Sequence, residues 1–321
     1  MATWVSTTLR IKDPAKSVPF YESNFKMKLA AKIEGAGETR YFLVRPRDDK
    51  TSTFSSDAPG SDAARRALFT RKCNYVELWH THGSEGDAKL KYDNGNVEPT
   101  RGFGHIAFNT ADVQESCDSL EAAGVDFQKK PSEGKMKTMA FVKDPDSYWI
   151  EIVRRLPETN FKEEFNLSQT MIRVKDPAKS IAFYTGHLGM RLISARHFSD
   201  FSLFFLASLS PGDAPLPPFG AERDAVLKNA WGPVLELTHN HGTEHDEAFS
   251  YHSGNADPLG FSSIGFVTQD LAGMCALLKH DGAAFADAQL ASALGAVPGK
   301  VEVALDPDGY AVKLIAKGAV L

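Results

Sequence analysis

Residues 10–29 read RIKDPAKSVPFYESNFKMKL, and residues 173–192 read RVKDPAKSIAFYTGHLGMRL. The second segment begins 163 positions after the first, and 11 of the 20 residues are identical. Two later repeats keep the same order: RGFGHIAF (101–108) matches LGFSSIGF (259–266), and KDPDSYWIEI (143–152) matches LDPDGYAVKL (305–314). The chain therefore carries two similar halves. They differ where the first half has His105 and Glu151 and the second has Ser263 and Lys313.

The repeats indicate where the 321 residues divide, because a chain of this length can form two domains of ordinary size. We expect a first domain over residues 1–155, a charged linker over 156–167 and a second domain over 168–321.

Each domain is expected to contain two modules in which a strand precedes a helix and further strands follow. Asp13-Pro14 and Asp176-Pro177 are typical helix starts, and the apolar spacing of residues 271–278 predicts another helix that ends before Gly282. The apolar runs predict strands at 41–44, 75–79, 105–109, 148–153, 203–206, 234–238, 264–268 and 310–316. Residues 52–64 and 208–220 read as loops. Four such modules, paired so that two sheets curve around clefts, give an α+β fold.

The composition excludes several classes of partner. A net charge of −5 offers no basic excess for phosphates, so no nucleic-acid partner is expected. The sequence has no apolar run of 18 residues, and its beginning lacks the basic and apolar regions of a secretory signal, so no membrane association is expected. Three cysteines are too few for a disulfide framework and fit a cytoplasmic protein.

Three glutamates interrupt apolar strands. Glu77 lies in NYVELW, Glu236 in PVLELT and Glu151 in YWIEIV. A solvated carboxylate at a sheet edge would explain any one of them, since burying an unpaired charge is unfavourable. However, these three glutamates all lie at the ends of repeated modules, and His105 opens a neighbouring strand. This combination favours a metal site instead. Carboxylate oxygen and imidazole nitrogen together suit zinc, nickel, manganese or iron(II).

These motifs, with SQTMIRVKDPAKSIAFYTGHLGM, ELTHNHGTE and GKMKTMAF, closely resemble the signatures of the glyoxalase I (lactoylglutathione lyase) family in its fused two-domain eukaryotic form. The resemblance covers nearly the whole chain. It implies the vicinal oxygen chelate fold, which is built from βαβββ modules paired into two glyoxalase-like domains with curved mixed sheets.

The resemblance also implies a ligand set drawn from both halves. One site would combine Gln169, Glu236, His105 and Glu151, which are all ligand types. The reciprocal site would combine Ser6, Glu77, Ser263 and Lys313, of which only Glu77 is a ligand. We therefore expect one intact site and one degenerate site. In the degenerate site Lys313 should lie within about 5 Å of Glu77, the range over which opposite charges interact strongly.

Residues that match the family's glutathione contacts surround the expected intact site. They are Arg173, Asn240, Arg101, Lys129 and Lys135, with Met136 and Trp149 as apolar wall. The equivalent positions of the other cleft hold Arg10, Thr81 and Leu259. A solvated loop is the usual explanation of lysines such as Lys129 and Lys135, but an anionic glutathione conjugate would use them.

The reaction implied by the resemblance converts the glutathione–methylglyoxal hemithioacetal into S-lactoylglutathione through an enediolate. Glu151 is expected to be the base that moves the proton, and Glu236 either acts on the opposite face or stays a ligand. One divalent ion is implied, with Zn²⁺ favoured over Ni²⁺, Co²⁺ or Mn²⁺ because the first ligand is Gln169. All parts of the site come from one chain, so a monomer with an internal pseudo-dimer is expected.

Three alternatives follow from the same residues. An extradiol dioxygenase shares the fold but uses iron(II) with two histidines and one glutamate, whereas Gln169 stands at the first position here. A metal-free binding protein of the bleomycin-resistance type would not need four ligands. The H-x-H pairs at 80–82 and 239–241 could form a second zinc site, although such spacing is more typical of a surface pair.

Overall fold

The computed structural model describes residues 2–46, 58–70, 74–133, 138–154, 165–209, 215–229 and 232–319. Helices of the size and apolarity needed to cross a bilayer are lacking in these ranges.

The four modules follow one another along the chain. The first contains β1 (Ala2–Ile11), α1 (Pro14–Phe25), β2 (Lys28–Glu34), β3 (Glu38–Val44), α2 (Asp62–Thr70) and β4 (Tyr75–Thr81). The second contains β5 (Phe103–Thr110), α3 (Val113–Ala122), β6 (Phe127–Lys129), β7 (Met139–Lys143) and β8 (Trp149–Arg154). The third contains β9 (Asn166–Arg173), α4 (Pro177–Ala182), β10 (Arg191–His197), β11 (Phe201–Ala207), α5 (Ala221–Asn229) and β12 (Val234–Asn240). The fourth contains β13 (Phe261–Thr268), α6 (Leu271–His280), α7 (Ala288–Ala293), β14 (Val301–Leu305) and β15 (Ala311–Ala316).

The helices begin where the sequence predicts. The side chain of Asp13 accepts a hydrogen bond from the amide of Ala15, 2.9 Å away, and Pro14 occupies the first helical position. Asp176 caps α4 in the same way through the amide of Ala178, at 3.0 Å. A capping oxygen satisfies one of the free amides of the first turn, and proline has no amide to leave unsatisfied there.

The strands form two sheets, and each sheet joins modules from opposite halves of the sequence. The seven-stranded sheet has the order β14-β15-β13-β1-β4-β3-β2, and the eight-stranded sheet has the order β10-β11-β12-β9-β5-β8-β7-β6. The junctions are antiparallel: β1 pairs with β13, and β5 pairs with β9. The α+β fold with two curved sheets is therefore confirmed, and neither half completes a sheet from its own strands.

Strand alternation separates the core from the clefts. In β8, Ile150 and Ile152 are fully buried in the main hydrophobic cluster, so Glu151 between them faces away from it. In β4, Val76 and Leu78 lie in the same cluster on either side of Glu77. The glutamates that interrupt the apolar strands thus project from the face of each sheet opposite to this cluster.

Equivalent residues of the two halves touch each other at the centre. The hydroxyl oxygens of Thr7 and Thr170, 163 positions apart, lie 2.6 Å from each other. The rings of Phe103 and Phe261, which occupy the same place in RGFGHIAF and LGFSSIGF, stack with centroids 4.8 Å apart. Residues related by the repeat can meet in this way only beside the pseudo-twofold axis that relates the halves.

Some elements differ from the sequence-based expectation. Helix α2 begins at Asp62, inside the loop predicted over 52–64, and the edge strands β2 and β10 were not predicted. Strand β9 begins at Asn166, within the segment 156–167 that was expected to be a linker. Residues 156–164 of that segment, together with 155, lie outside the described residues. The fourth module has a single bridge between Phe285 and Ala304 where the second module has β6.

Candidate metal centre

Four adjacent strands of the eight-stranded sheet carry the predicted ligands. Their order is β12-β9-β5-β8, and they bring Glu236, Gln169, His105 and Glu151 side by side. Ala107 of β5 pairs with Gln169 of β9 on one side and with Glu151 of β8 on the other, so these two ligands lie at the same level of the sheet. Two strands come from each half of the chain.

The four side chains meet at the amide of Gln169. Its Nε2 atom donates to Glu151 Oε2 and to Glu236 Oε2, each at 2.7 Å, and lies 3.3 Å from His105 Nε2. His105 Nε2 is also 3.3 Å from Glu151 Oε2. One ligand atom from each of His105, Glu151 and Glu236 falls within 4.8 Å of the others.

The chemistry of these groups fits a divalent cation. All four residues are at least 94% buried, and two carboxylates that converge in a buried place require positive charge nearby. One imidazole nitrogen and two carboxylate oxygens are ligands that zinc and similar ions take, and the amide oxygen of Gln169 is a further oxygen donor. The set can therefore hold a metal ion.

An aromatic wall borders the cluster. The ring of Phe141 packs edge-on against the imidazole of His105, with centroids 5.3 Å apart, and Trp149 packs against Phe141 at 5.6 Å. Trp149, which was predicted to line the site, therefore contacts it through Phe141. Phe141 was not among the residues predicted for the site. Its place at the site follows from strand pairing, because Phe141 of β7 pairs with Glu151 of β8.

The predicted glutathione contacts lie on both sides of this cluster. Asn240, at the end of β12, donates to the hydroxyl of Tyr251 at 2.8 Å, and the Nζ of Lys129 donates to the carbonyl of Met139 at 3.1 Å. Arg101 is half-exposed and pairs with Glu98 at 3.2 Å. Lys135 and Met136 lie outside the described residues.

Arg173 has structural bonds. Its guanidinium donates to the carbonyls of Gly95, Gly102 and Phe103 at 3.1–3.3 Å and to Asn96 Oδ1 at 3.0 Å. Arg10 makes the same kind of contacts in the other half, to the carbonyls of Gly254, Gly260 and Phe261 and to Asn255 Oδ1. The repetition in both clefts shows that these arginines hold a loop in place. Arg173 also lies close enough to Glu236, Arg101 and Tyr251 for their charges to interact.

The seven-stranded sheet brings Ser6, Glu77, Ser263 and Lys313 together in the reciprocal place. Lys313 Nζ lies 3.3 Å from both carboxylate oxygens of Glu77, so the expected contact is present. Thr8 Oγ1 donates to Glu77 Oε2 at 2.8 Å and accepts from Ser263 Oγ at 3.1 Å. This hydroxyl chain links Ser263 to the ion pair.

Arg40 completes this second cluster and was missed from the sequence. Its Nη1 lies 3.4 Å from Glu77 Oε1, and its other nitrogens donate to Glu38 Oε1. Burial by itself would raise the pKa of Glu77, but the charges of Lys313 and Arg40 outweigh it and hold that pKa below its ordinary value. Burial lowers the pKa of Lys313 to about 8, although Glu77 favours its charged form. Arg40 could have been noticed in the sequence, because it is a charged residue within the largely apolar strand ETRYFLV.

The histidine pairs bind their own neighbours. His239 Nε2 lies 2.7 Å from Glu244 Oε2, and His241 Nε2 lies 2.8 Å from Ser202 Oγ. His80 and His82 make the equivalent contacts with Glu85 and Thr39, each at 2.8 Å. Within the described ranges, His105, Glu151 and Glu236 form the cluster of three or more such side chains close enough to share an ion.

Comparison with known proteins agrees with this architecture. The model of the Glyoxalase/Bleomycin resistance protein/Dioxygenase superfamily matches residues 4–152 and again 166–314. Glyoxalase I of Saccharomyces cerevisiae is 36% identical over 98% of this chain and 92% of its own length. The lactoylglutathione lyase of Schizosaccharomyces pombe is 34% identical over 96% of this chain and 94% of its own length. The crystal structure of glyoxalase I from Zea mays superposes with a TM-score of 0.66, at 23% identity, over 99% of this chain and 93% of the maize chain.

Two matches of the superfamily model, which together span most of the chain, define a protein with two glyoxalase-like domains. Within that class, the identity to the two yeast enzymes over almost the whole length shows that the chain belongs to the glyoxalase I (lactoylglutathione lyase) family.

Proposed function

We propose that this protein is a metal-dependent lactoylglutathione lyase with a single active site, formed by Gln169, Glu236, His105 and Glu151. The observation that carries the proposal is the convergence of two buried carboxylates, an imidazole and an amide on one point, from strands of both halves. The reciprocal cluster, in which Lys313 pairs with Glu77, offers a cation no comparable set of ligands. The substrate is the hemithioacetal of glutathione and methylglyoxal.

A metal ion at this point would act as a Lewis acid and stabilise negative charge that develops on the substrate oxygens. Glu151 removes the proton from C1 of the hemithioacetal and delivers it to C2. The proton of the C1 hydroxyl moves to the C2 oxygen, so the hydroxy-thioether carbon becomes the thioester carbonyl and no atom is gained or lost. The aromatic wall of Phe141 and Trp149 would shield the reacting carbons from water.

Glu236 faces the same point from the other half and is either a ligand throughout or the second proton carrier. Arg101, Asn240 and Lys129, with Lys135 and Met136 of the neighbouring segment, would surround the glutathione moiety, and the positive side chains would attract its carboxylates. Arg173 would contribute through its charge, since its donors hold the loop at 95–103.

We further propose Zn²⁺ as the ion, because the first ligand position holds Gln169. One chain supplies every residue of the site, so we propose that the protein is active as a monomer. We also propose that it acts in the cytoplasm, because three cysteines are too few for a disulfide framework.

Turnover of matched glutamine variants tests this function. Formation of the thioester is followed by its absorbance after mixing purified Zn²⁺-loaded protein with glutathione and methylglyoxal. Glu151→Gln should lower kcat at least about a thousandfold, because the proton-transferring base is lost and a carboxylate ligand of the metal is replaced by a neutral amide. Glu236→Gln should cause a similar loss.

The control uses the equivalent strand position of the other cleft. Glu77→Gln should keep kcat within about twofold per folded molecule. The double variant Glu77→Gln/Lys313→Met, which removes both partners of the ion pair, should do the same. A loss in the Glu77 variants comparable to that of Glu151→Gln would mean that the reciprocal cluster takes part in catalysis.

A further inference from the structure

The reciprocal cluster of Glu77, Lys313 and Arg40 borders a cavity of about 180 Å³. Away from these charged groups the wall is apolar, and it includes the side chains of Ile33, Phe42, Phe69, Tyr75, Val301 and Ile315. An apolar cavity of about 150 Å³ is large enough to hold a benzene ring. The space beside the reciprocal cluster is therefore sufficient for a molecule of that size.

The charged side chains of the wall sum to zero and pair with one another. Lys313 Nζ lies 3.3 Å from both carboxylate oxygens of Glu77, and Arg40 Nη1 lies 3.4 Å from Glu77 Oε1. Arg40 Nη2 lies 2.8 Å from Glu38 Oε1, and Glu38 Oε2 accepts from Trp79 Nε1 at 2.8 Å. An ionic ligand would lose its hydration and compete with these existing pairs, whereas a neutral ligand would do neither.

Three aromatic rings form the apolar end of the cavity. Phe42 and Tyr75 pack edge-on with centroids 5.4 Å apart, and Phe69 packs edge-on against them at 6.2 and 6.5 Å. All three residues are at least 98% buried. A ring that turned into the cavity would lose its contacts with the other two, so their packing keeps the space open.

The edge of the cavity is apolar at a position where the first cleft, which holds the candidate metal centre, is charged. Ile33 of β2 pairs with Arg40 of β3, and the equivalent pair of the other sheet is Arg196 with Leu203. The guanidinium of Arg196 lies over the ring of Phe205, 5.5 Å from its centroid. Ile33 is partly exposed and packs against the hydrophobic cluster that surrounds the cavity. The reciprocal cleft therefore offers an apolar molecule a contact that the first cleft lacks.

We propose that this cavity binds a small neutral apolar molecule of about the size of toluene. Its ring lies among Phe42, Phe69 and Ile315, and the paired charges close the other end of the site. The cavity contains none of the four residues of the proposed metal site among the described residues that line it, so the binding does not depend on the lyase activity.

NMR titration of the full Zn²⁺-loaded chain, with labelled isoleucine and valine methyl groups, tests the proposal. Toluene should shift the signals of Ile33, Val301 and Ile315 in a saturable way. The signals of Ile150 and Ile152, which lie in the main hydrophobic cluster, should not move.

Charged molecules of similar size provide the chemical control. Benzoate and benzylamine should each bind the cavity at least about tenfold more weakly than toluene at neutral pH, because an ion loses its hydration there and finds every opposite charge already paired. The proposal is wrong if toluene leaves the signals of Val301 and Ile315 unchanged, or if either ion binds as tightly as toluene.

Variants confirm the place of binding. Val297 lines the cavity and is 36% exposed, so Val297→Trp puts a large side chain at the rim and should abolish the shift of Ile315. Leu277→Trp adds the same side chain at an exposed position of α6 away from the cavity, and it should bind toluene like the parent. Val153 of β8, the counterpart of Ile315, reports on the first cleft. If toluene shifts Val153 and not Ile315, or if Val297→Trp keeps the parent's affinity, the molecule does not occupy this cavity and the proposal fails.

Discussion

Glu77 and Lys313 form an ion pair whose partners are both almost fully buried, with side-chain exposures of 4% and 3%. Each charge would be unfavourable without the other, because the interior solvates ions poorly. Arg40 and Thr8 supply further bonds to the carboxylate. The two possible losses are therefore unequal. Without Glu77, Lys313 would lose its only carboxylate contact among the described residues. Without Lys313, Glu77 would keep its contacts with Arg40 and Thr8.

A double-mutant cycle measures this asymmetry. Glu77→Gln should lower the free energy of unfolding by about 3–5 kcal/mol, because two buried cations lose the carboxylate between them. Lys313→Met should cost less, about 1–3 kcal/mol. The double variant should be more stable than the sum of the two losses predicts, as measured by urea unfolding. Strict additivity would show that the two side chains do not interact.

The lowered pKa of Lys313 predicts a pH dependence. The lysine has a pKa of about 8 in the folded chain and 10.5 when exposed, so between these values the unfolded chain holds more protons. The free energy of unfolding of the parent relative to Lys313→Met should therefore rise as the pH increases through this window, and the term should be constant below it. NMR of labelled lysine side chains provides the midpoint, and a titration near the ordinary value would contradict the prediction.

At the scale of elements, one tyrosine hydroxyl links the first helical segment of each domain to a distant turn. Tyr21 of α1 donates to Asp144 Oδ2 at 2.9 Å, and Tyr184, just beyond α4, donates to Asp306 Oδ2 at 2.7 Å. The same aspartates accept main-chain amides of the turns before β8 and β15. Each tyrosine therefore ties a helix to the turn that leads into the strand of Glu151 or Lys313.

Phenylalanine at these positions removes the hydroxyl and keeps the ring. Tyr21→Phe and Tyr184→Phe should each lower the free energy of unfolding by about 1.5–3 kcal/mol, because a buried carboxylate loses one donor. Chemical denaturation of the two variants serves as a matched comparison between the halves. A change below about 0.5 kcal/mol in either would mean that this hydrogen bond does not hold the helix.

The elements that sequence could predict are those with a clear apolar pattern. The strands around Glu77, Glu151 and Glu236 and the capped helices α1 and α4 follow from alternation and capping residues. Helices α2 and α5 did not, because they are short, rich in charged residues and adjacent to loop-like segments. Strand β2, KLAAKIE, is an edge strand with a mostly solvated face and lacks the β-branched pattern.

The site was predictable as a set of residues because ligand types recur at fixed places in the repeats. Its second cluster was only half predictable. The contact between Glu77 and Lys313 follows from the repeat, but Arg40 reaches Glu77 from β3 through cross-strand pairing with β4. Such pairing depends on register, which the sequence does not specify for short strands without a turn signal.

At the scale of the whole molecule, each sheet requires both halves. A first half alone would leave β1 and β5 without β13 and β9. Because β5 is the equivalent of β13, two copies of that half could pair with each other, and their clefts would contain Ser6, Glu77, His105 and Glu151. Two copies of the second half would combine Gln169, Glu236, Ser263 and Lys313. Neither combination assembles the four ligands.

Separate fragments test this arrangement. Residues 1–160 and 161–321, refolded alone, should each lack lyase activity, and refolding them together should restore it, because only the mixed pair brings both ligand pairs into one sheet. The rate of thioester formation after co-refolding is the measurement. Activity of either fragment alone at a level comparable to the mixture would contradict the interlocked topology.

The contact between Thr7 and Thr170 has a directional consequence. A hydroxyl pair 2.6 Å apart holds one proton between two oxygens, so one threonine donates and the other accepts. A rotation that exchanged the halves would also exchange donor and acceptor. The central hydrogen bond therefore has two possible directions: either Thr7 donates to Thr170, or Thr170 donates to Thr7. Thr8 follows Thr7 in one strand, and Gln169 precedes Thr170 in the other. Even identical repeats would have to differ in the orientation of these two hydroxyls.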